Sequence, residues 1–235
     1  MNIFWKTIAF AIIIALVSCV SGGKKTETKD AEEVGSIKYD QIHEINTDLS
    51  IITWEGFKPT GTHVGTIAFK NGELMFWEGK LIGGSFTIDM LSIVNDDLTD
   101  PEMNAKLVNH LLSSDFFEAE TYPEAMFEIT KVVEIEPTQV DLSKEKGDII
   151  PTHAISGNLT LKDVTKNLTF HANLSLNGSD FSAQTNQFFI DRVDWNVRYG
   201  SKKLFAELKD NFINDEMGIS INLVSKEVDN ETESN

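Results

Sequence analysis

Residues 155–177, ISGNLTLKDVTKNLTFHANLSLN, decide the fold. Leu168, Phe170, Ala172, Leu174 and Leu176 take alternate positions, with Thr169, His171, Asn173, Ser175 and Asn177 between them. A period of two sends the first set to one face of a strand and the second to the other. Ile155, Gly157, Leu159 and Leu161 form the matching face of the preceding run. The polar Asp163-Val164-Thr165-Lys166 between the runs predicts an antiparallel hairpin turning there. Burying one large apolar side chain stabilises by roughly 1.5–3 kcal/mol, so a one-residue slip that turned a face outward would be heavily penalised.

Working outward, Met217, Ile219, Ile221 and Leu223 repeat the pattern. Further strands are expected at about 45–55, 62–70, 73–78, 80–94, 122–135 and 180–191. Lys70-Asn71-Gly72-Glu73 reads as an Asn-Gly hairpin turn, and Glu78-Gly79-Lys80 as another bend. Eight or nine antiparallel strands with short connections fit a closed all-β barrel better than an α/β sheet, and closure removes exposed edges. One segment departs from this pattern. Asp100-Pro101 makes an N-cap and first turn, and Met103, Leu107 and Leu111 recur every four residues. These features predict a short helix over 101–113 with its apolar stripe on one barrel end, followed by Phe116 and Phe117 as its seat. Alternation does not say which face points inward. The polar C-terminal tail and the charged loop 141–148 favour a soluble barrel with an apolar interior over a membrane-spanning one.

The 235 residues suffice for one sizeable core, and 41% hydrophobic content excludes a disordered chain. A formal net charge of −17 repels nucleic acid and anionic membrane surfaces, which argues against nucleic acid as a partner. The N-terminus carries a short n-region with Lys6, the apolar run TIAFAIIIALVS and then the single cysteine, Cys19. Leu16-Val17-Ser18-Cys19 resembles the lipobox of bacterial lipoproteins. That resemblance implies a signal peptide over 1–18, lipid on Cys19, and a domain anchored to a membrane of the bacterial cell envelope and facing the periplasm. Val20, rather than Asp, follows the cysteine, which favours the outer over the inner membrane. Residues 19–36, polar and without periodicity, read as a lipidated flexible tether, and 225–235 as a polar tail.

Catalytic signatures are not found. His43, His63, His110, His153 and His171 show no metal-ligand spacing, and no nucleophile elbow, phosphate loop or dinucleotide fingerprint occurs. The sequence therefore calls for no enzyme activity, metal or cofactor. Asn158, Asn167, Asn173, Asn177 and Asn230 open Asn-x-Ser/Thr triplets, read here as strand-face polarity. The only two arginines, Arg192 and Arg198, lie close together with Lys202 and Lys203 nearby. They are candidates for an anionic head group, or alternatively structural partners of nearby carboxylates such as Asp191 and Asp194.

HLLSSDFFEAETYPEAMFEIT, residues 110–130, resembles the "HL-S-DFF-v-YP-F" signature of the YceI-like domain family. Ser50, Ile52 and Trp54 match its opening strand, and ISGNLTLKDVTKNLTF matches its "GdLTlhGvTkpv" hairpin, with Asp163 where Gly is usual. Ile190-Asp191-Arg192 matches its "idR" element, and THVGTIAF and WNVRYGS look like a branch found in Bacteroidetes-type lipoproteins. The resemblance covers about residues 40–224; with the tether boundary it places the domain at 37–224. It implies a lipocalin-like antiparallel barrel of about eight strands, capped at one end by the helix and holding a long isoprenoid or acyl-chain lipid.

Ile52, Trp54, Ile67, Phe69, Phe86, Ile88, Met90, Phe127, Ile129, Leu159 and Phe170 would face that lumen, with Gly56, Gly65, Gly83 and Gly84 leaving room beside it. On the residues alone the interior is either hollow or filled. The expected function is a lipoprotein that sequesters or transports a bound lipid; the alternative is an envelope interaction module with a filled barrel. Oligomeric state stays open, a dimer being compatible.

Overall fold

The computed structural model describes residues 25–226 except 142 and 144. The expected signal peptide, Cys19 and most of the polar tail lie outside the described residues. Among the described residues twelve strands occur: β1 (Thr28–Asp30), β2 (Gln41–Glu44), β3 (Ile51–Lys58), β4 (Gly61–Trp77), β5 (Lys80–Asp89), β6 (Val94–Asn95), β7 (Glu124–Glu134), β8 (His153–Leu161), β9 (Val164–Asn177), β10 (Asp180–Gln184), β11 (Phe188–Asp191) and β12 (Glu216–Val224). Eight of them, β3-β4-β5-β7-β8-β9-β10-β12, pair antiparallel around a closed ring, since β12 pairs with β3. The apolar faces point inward and form one continuous core, so this is an all-β barrel with an apolar interior.

The ring is completed by short strands that fill gaps in the wall. β9 pairs with β10 only from Asn173 to Asn177, and nearer its start it pairs with β1 through Lys166, Asn167 and Leu168. Lys25 bridges to Phe189 in β11, and the Thr26 N–H donates to the Phe189 carbonyl at 2.8 Å. Residues 25–30 thus sit between β9 and β11. Glu32 is held further along, because Asn158 Oδ1 accepts from its N–H and Asn158 Nδ2 donates to its carbonyl. Residues 25–30 of the expected flexible tether are therefore part of the barrel wall, with Glu32 pinned beside them. Their polarity gave no periodic signal because main-chain bonds and one asparagine hold them rather than apolar burial. Asn158 and Asn167, opposite each other in β8 and β9, are buried and bonded to one another.

Two local expectations are corrected. Lys70-Asn71-Gly72-Glu73 is no turn; β4 runs straight through it, with a ladder irregularity between Phe69 and Asn71. A Cβ on Gly72 would stand 2.5 Å from a Phe86 ring carbon, so the glycine serves close packing at the bend. The β8–β9 turn lies at Lys162-Asp163, both at positive φ (54° and 76°), one residue earlier than the polar run suggested. Two left-handed residues in a two-residue loop match the twist of the flanking strands, and glycine reaches that conformation without strain.

The helix, α1 (Pro101–Leu112), starts where expected, with the Asp100 carboxylate accepting from the Glu102 and Met103 amides at 3.0 Å. Its inner stripe is Leu107, Val108, Leu111 and Leu112, whereas Met103 is exposed.

Candidate functional site

Strand direction sorts the side chains by barrel end. β3 ends at Lys58 and β4 begins at Gly61, with Gly56 opposite His63. Asn214, just before β12, donates its N–H to the Phe57 carbonyl. Across the lumen, the His110 ring at the C-terminal end of α1 meets Phe116 edge-on at 4.9 Å, and Phe116 lies beneath the Arg192 guanidinium at 5.7 Å. Lys58, His63, His110, Arg192 and Asn214 therefore gather at one end. At the opposite end Phe76 and Phe181 pack edge-on at 5.3 Å, with Ile45 and Leu223 buried among the same core residues.

Between these ends lies a cavity of about 260 Å³. A dry apolar cavity of about 150 Å³ already accepts benzene, so this one has room for part of a hydrocarbon chain. Its wall is overwhelmingly apolar, and Phe127, Phe170 and Phe188 form a run of rings, the last two stacked at 4.7 Å. Ile52, Trp54, Ile67, Phe69, Phe86, Ile88, Met90, Phe127, Ile129, Leu159 and Phe170 all line it. Trp54 turns its polar edge away by donating Nε1–H to the Val94 carbonyl at 3.1 Å.

The glycines behave differently from expectation. A Cβ on Gly65 would lie 1.9 Å from the Val94 carbonyl oxygen and 2.7 Å from the Trp54 ring; one on Gly83 would meet Ile37, and one on Gly84 the Glu73 carbonyl. Among the four, Gly56 alone lines the cavity. The room comes from the barrel's girth rather than from missing side chains.

The two arginines part company. Arg192 is 1% exposed and touches the cavity wall. Its Nε donates to the Asn214 carbonyl at 3.0 Å, Nη1 to that of Val197 at 2.7 Å and Nη2 to that of Ile213 at 3.1 Å. Nη2 also stands 3.6 Å from Asp215 Oδ1. Burial lowers the guanidinium pKa, and the attraction of Asp215 and Asp191 only partly offsets this. Arg192 thus ties down the loop between β11 and β12 through that loop's own carbonyls. Arg198 is exposed, donates to Asn196 Oδ1 and does not line the cavity. The structure does not bring the pair together as a head-group clamp.

Polar groups that do line the cavity at this end, and that sequence reading missed, are Lys58, His63 and His110, with Glu55 beside them held by Gln187 and Lys146. Lys58 and His63 flank the β3–β4 turn, and the docking of α1 on this end of the barrel brings His110 to them. His63 Nδ1 meets Asp97 Oδ2 at 2.9 Å. Burial works against a charged Asp97, but bonds from the Val64 amide, His63 and Asn95 outweigh it and hold its pKa below the ordinary value. Among the described residues no three His, Cys, Asp or Glu side chains gather as a metal site, and no helix is long and apolar enough to cross a membrane.

The model of the YceI-like domain matches residues 43–225. This chain belongs to the YceI-like domain family. Solved structures agree at the level of the fold. BcnA of Burkholderia cenocepacia is 21% identical, with a TM-score of 0.56 over 77% of this chain and 99% of that one. A polyisoprenoid binding domain from Saccharophagus degradans, implicated in plant cell wall breakdown, is 16% identical, with a TM-score of 0.52 over 79% of this chain and 98% of that one. No curated protein matches the chain. Within the YceI-like fold, the helix and the Arg192 loop both stand at the polar end of the cavity.

Proposed function

We propose that this YceI-like barrel binds a long isoprenoid or acyl-chain lipid in its lumen, as a lipoprotein of the bacterial cell envelope anchored through Cys19 and facing the periplasm. The observation that carries the reading is the apolar cavity, walled by aromatic and branched side chains, whose charged and histidine lining stands at one end. That asymmetry suits an amphiphile with its chain inward and its head group near Lys58, His63 and His110. The binding domain from Saccharophagus degradans, of the same fold, supports an isoprenoid as one candidate chain. The role is sequestration or transport, with no chemical step.

A series of fatty acids and isoprenols of increasing length, displacing a fluorescent fatty acid from the purified protein, tests this. Each added methylene that enters the cavity should tighten binding about fourfold, from roughly 0.8 kcal/mol per buried CH₂, until the lumen is full. An affinity independent of chain length would refute a lumenal site and favour the filled-barrel interaction module.

A further inference from the structure

The loop between β11 and β12 does more than close the barrel. Residues 196–209, NVRYGSKKLFAELK, carry Arg198, Lys202, Lys203 and Lys209 with Glu207 among them and Asp194 and Asp210 flanking them, in a chain of net charge −17; Lys203 is paired with Asp191, which leaves Arg198, Lys202 and Lys209 as the cations turned to the surface. Three of the thirteen large apolar side chains exposed among the described residues fall in this same segment: Tyr199 (44%), Leu204 (46%) and Phe205 (41%). Scattered exposed apolar residues are ordinary, but a cluster interleaved with cations is a recognisable surface. Charges farther off than the Debye length of about 8–10 Å are screened, so an approaching surface feels Arg198, Lys202 and Lys209, set against Glu207, Asp194 and Asp210, more than the acidic remainder of the chain.

The patch adjoins the cavity's polar end. The Tyr199 ring packs edge-on against His110 at 4.6 Å and lies 5.5 Å from Phe116. Gly200 accepts from the Ile213 N–H, and His110, Phe116 and Ile213 all line the cavity.

A second observation points the same way. Lys203, from this loop, and Lys25, from the N-terminal strand segment, bond to the same buried carboxylate, Asp191. Lys25 is six positions after Cys19, and six residues span at most about 20 Å. A lipid on Cys19 would hold the membrane within that distance of Lys25, on the side of the barrel where Asp191 and Lys203 of this loop stand.

We propose that residues 198–209 form a docking surface for an anionic lipid bilayer, seating the polar end of the cavity on the membrane. Leu204 and Phe205 enter the interface, Tyr199 stands at head-group level, and Arg198, Lys202 and Lys209 meet lipid phosphates. Lys203 stays on Asp191. A lipid could then pass between bilayer and lumen without crossing open water.

The test uses the chain from Lys25 onward, which contains the whole closed barrel and lacks the anchor. Co-sedimentation with phosphatidylglycerol vesicles should be strong and weakened by salt, and with phosphatidylcholine vesicles slight. Arg198→Gln with Lys202→Gln should lower the partition coefficient roughly 30-fold, since each cation near the surface contributes about fivefold. Leu204→Asp with Phe205→Asp should reduce binding to background while leaving the urea midpoint unchanged, because both side chains are exposed.

Absent binding by the parent protein, or unchanged binding by both variants, would overturn the proposal. So would a concentration-dependent dimer in sedimentation velocity abolished by Leu204→Asp with Phe205→Asp, which would make the patch a self-association face. The outcome is independent of lumen binding, because vesicle association is read on the barrel whether empty or loaded.

Discussion

Replacing Arg192 by Met keeps much of the side chain's bulk and removes its charge and donors. Three carbonyls, that of Val197 buried and those of Asn214 and Ile213 part-buried, lose their donor, and Asp215 loses the cation 3.6 Å away. At that separation the carboxylate is an ion-pair partner rather than a hydrogen-bond acceptor, so the carbonyl bonds carry the geometry. Removing one member of a buried, bonded charge group costs about 3–5 kcal/mol, a large part of a typical stability of about 5–15 kcal/mol. With a urea slope of about 2 kcal/mol/M, the unfolding midpoint should fall by about 2 M. Trp195, fully buried three positions along, reports the event by fluorescence. Arg198→Ala is the control and should leave the midpoint within about 0.3 M, because exposed side chains contribute little. If Arg192→Met unfolds like the parent yet no longer binds an anionic lipid, the guanidinium is a head-group ligand and the structural assignment is wrong.

Gly65→Ala should destabilise by about 1–3 kcal/mol, since its Cβ would collide with the Val94 carbonyl and the Trp54 ring; thermal unfolding checks this, and an unchanged Tm would show the wall to be looser than described. Acid sensitivity should centre on Asp191. Burial raises its pKa, but bonds from Lys203, Lys25 and the Val193 amide outweigh that, so the folded value lies below the unfolded one. Its contribution is therefore present above the unfolded pKa, about 3.9, and is lost as pH falls through the lower folded value. Asp191→Asn should accordingly be less stable than the parent at pH 7, with the gap narrowing below about pH 4 in urea titrations; a gap independent of pH would reject that role. Asn158→Ala removes both bonds to the Glu32 main chain and the bond from Asn167. It should speed amide hydrogen exchange in residues 28–32 and lower stability by about 1–2 kcal/mol, as expected for lost buried hydrogen bonds.

What sequence could and could not reveal follows from range. Alternation is local, and in a closed barrel an apolar alternate position has one place to go, so the residues expected at the lumen do line the cavity. Gly72 misled because a missing Cβ serves both tight turns and close packing, and only the facing ring of Phe86 tells them apart. Met103 fits a spacing of four, yet the face of α1 that meets the barrel is set by Leu107 and Leu111. Arg192 and Arg198 are neighbours in sequence, but the turn between them sends one inward and the other to solvent. Lys58 and His63 meet across the short β3–β4 turn but carry no recognisable motif, and His110 joins them only when the helix packs on the barrel.

The central claim, a lumen that holds a lipid, is tested most directly by native mass spectrometry of the purified protein beside Ala125→Phe, which places a ring into the cavity that Ala125 lines. The account predicts a reproducible lipid adduct on the parent that dissociates on activation, and a folded variant without it. A parent that is bare after expression and after incubation with lipid, or a variant that retains the adduct, would contradict it.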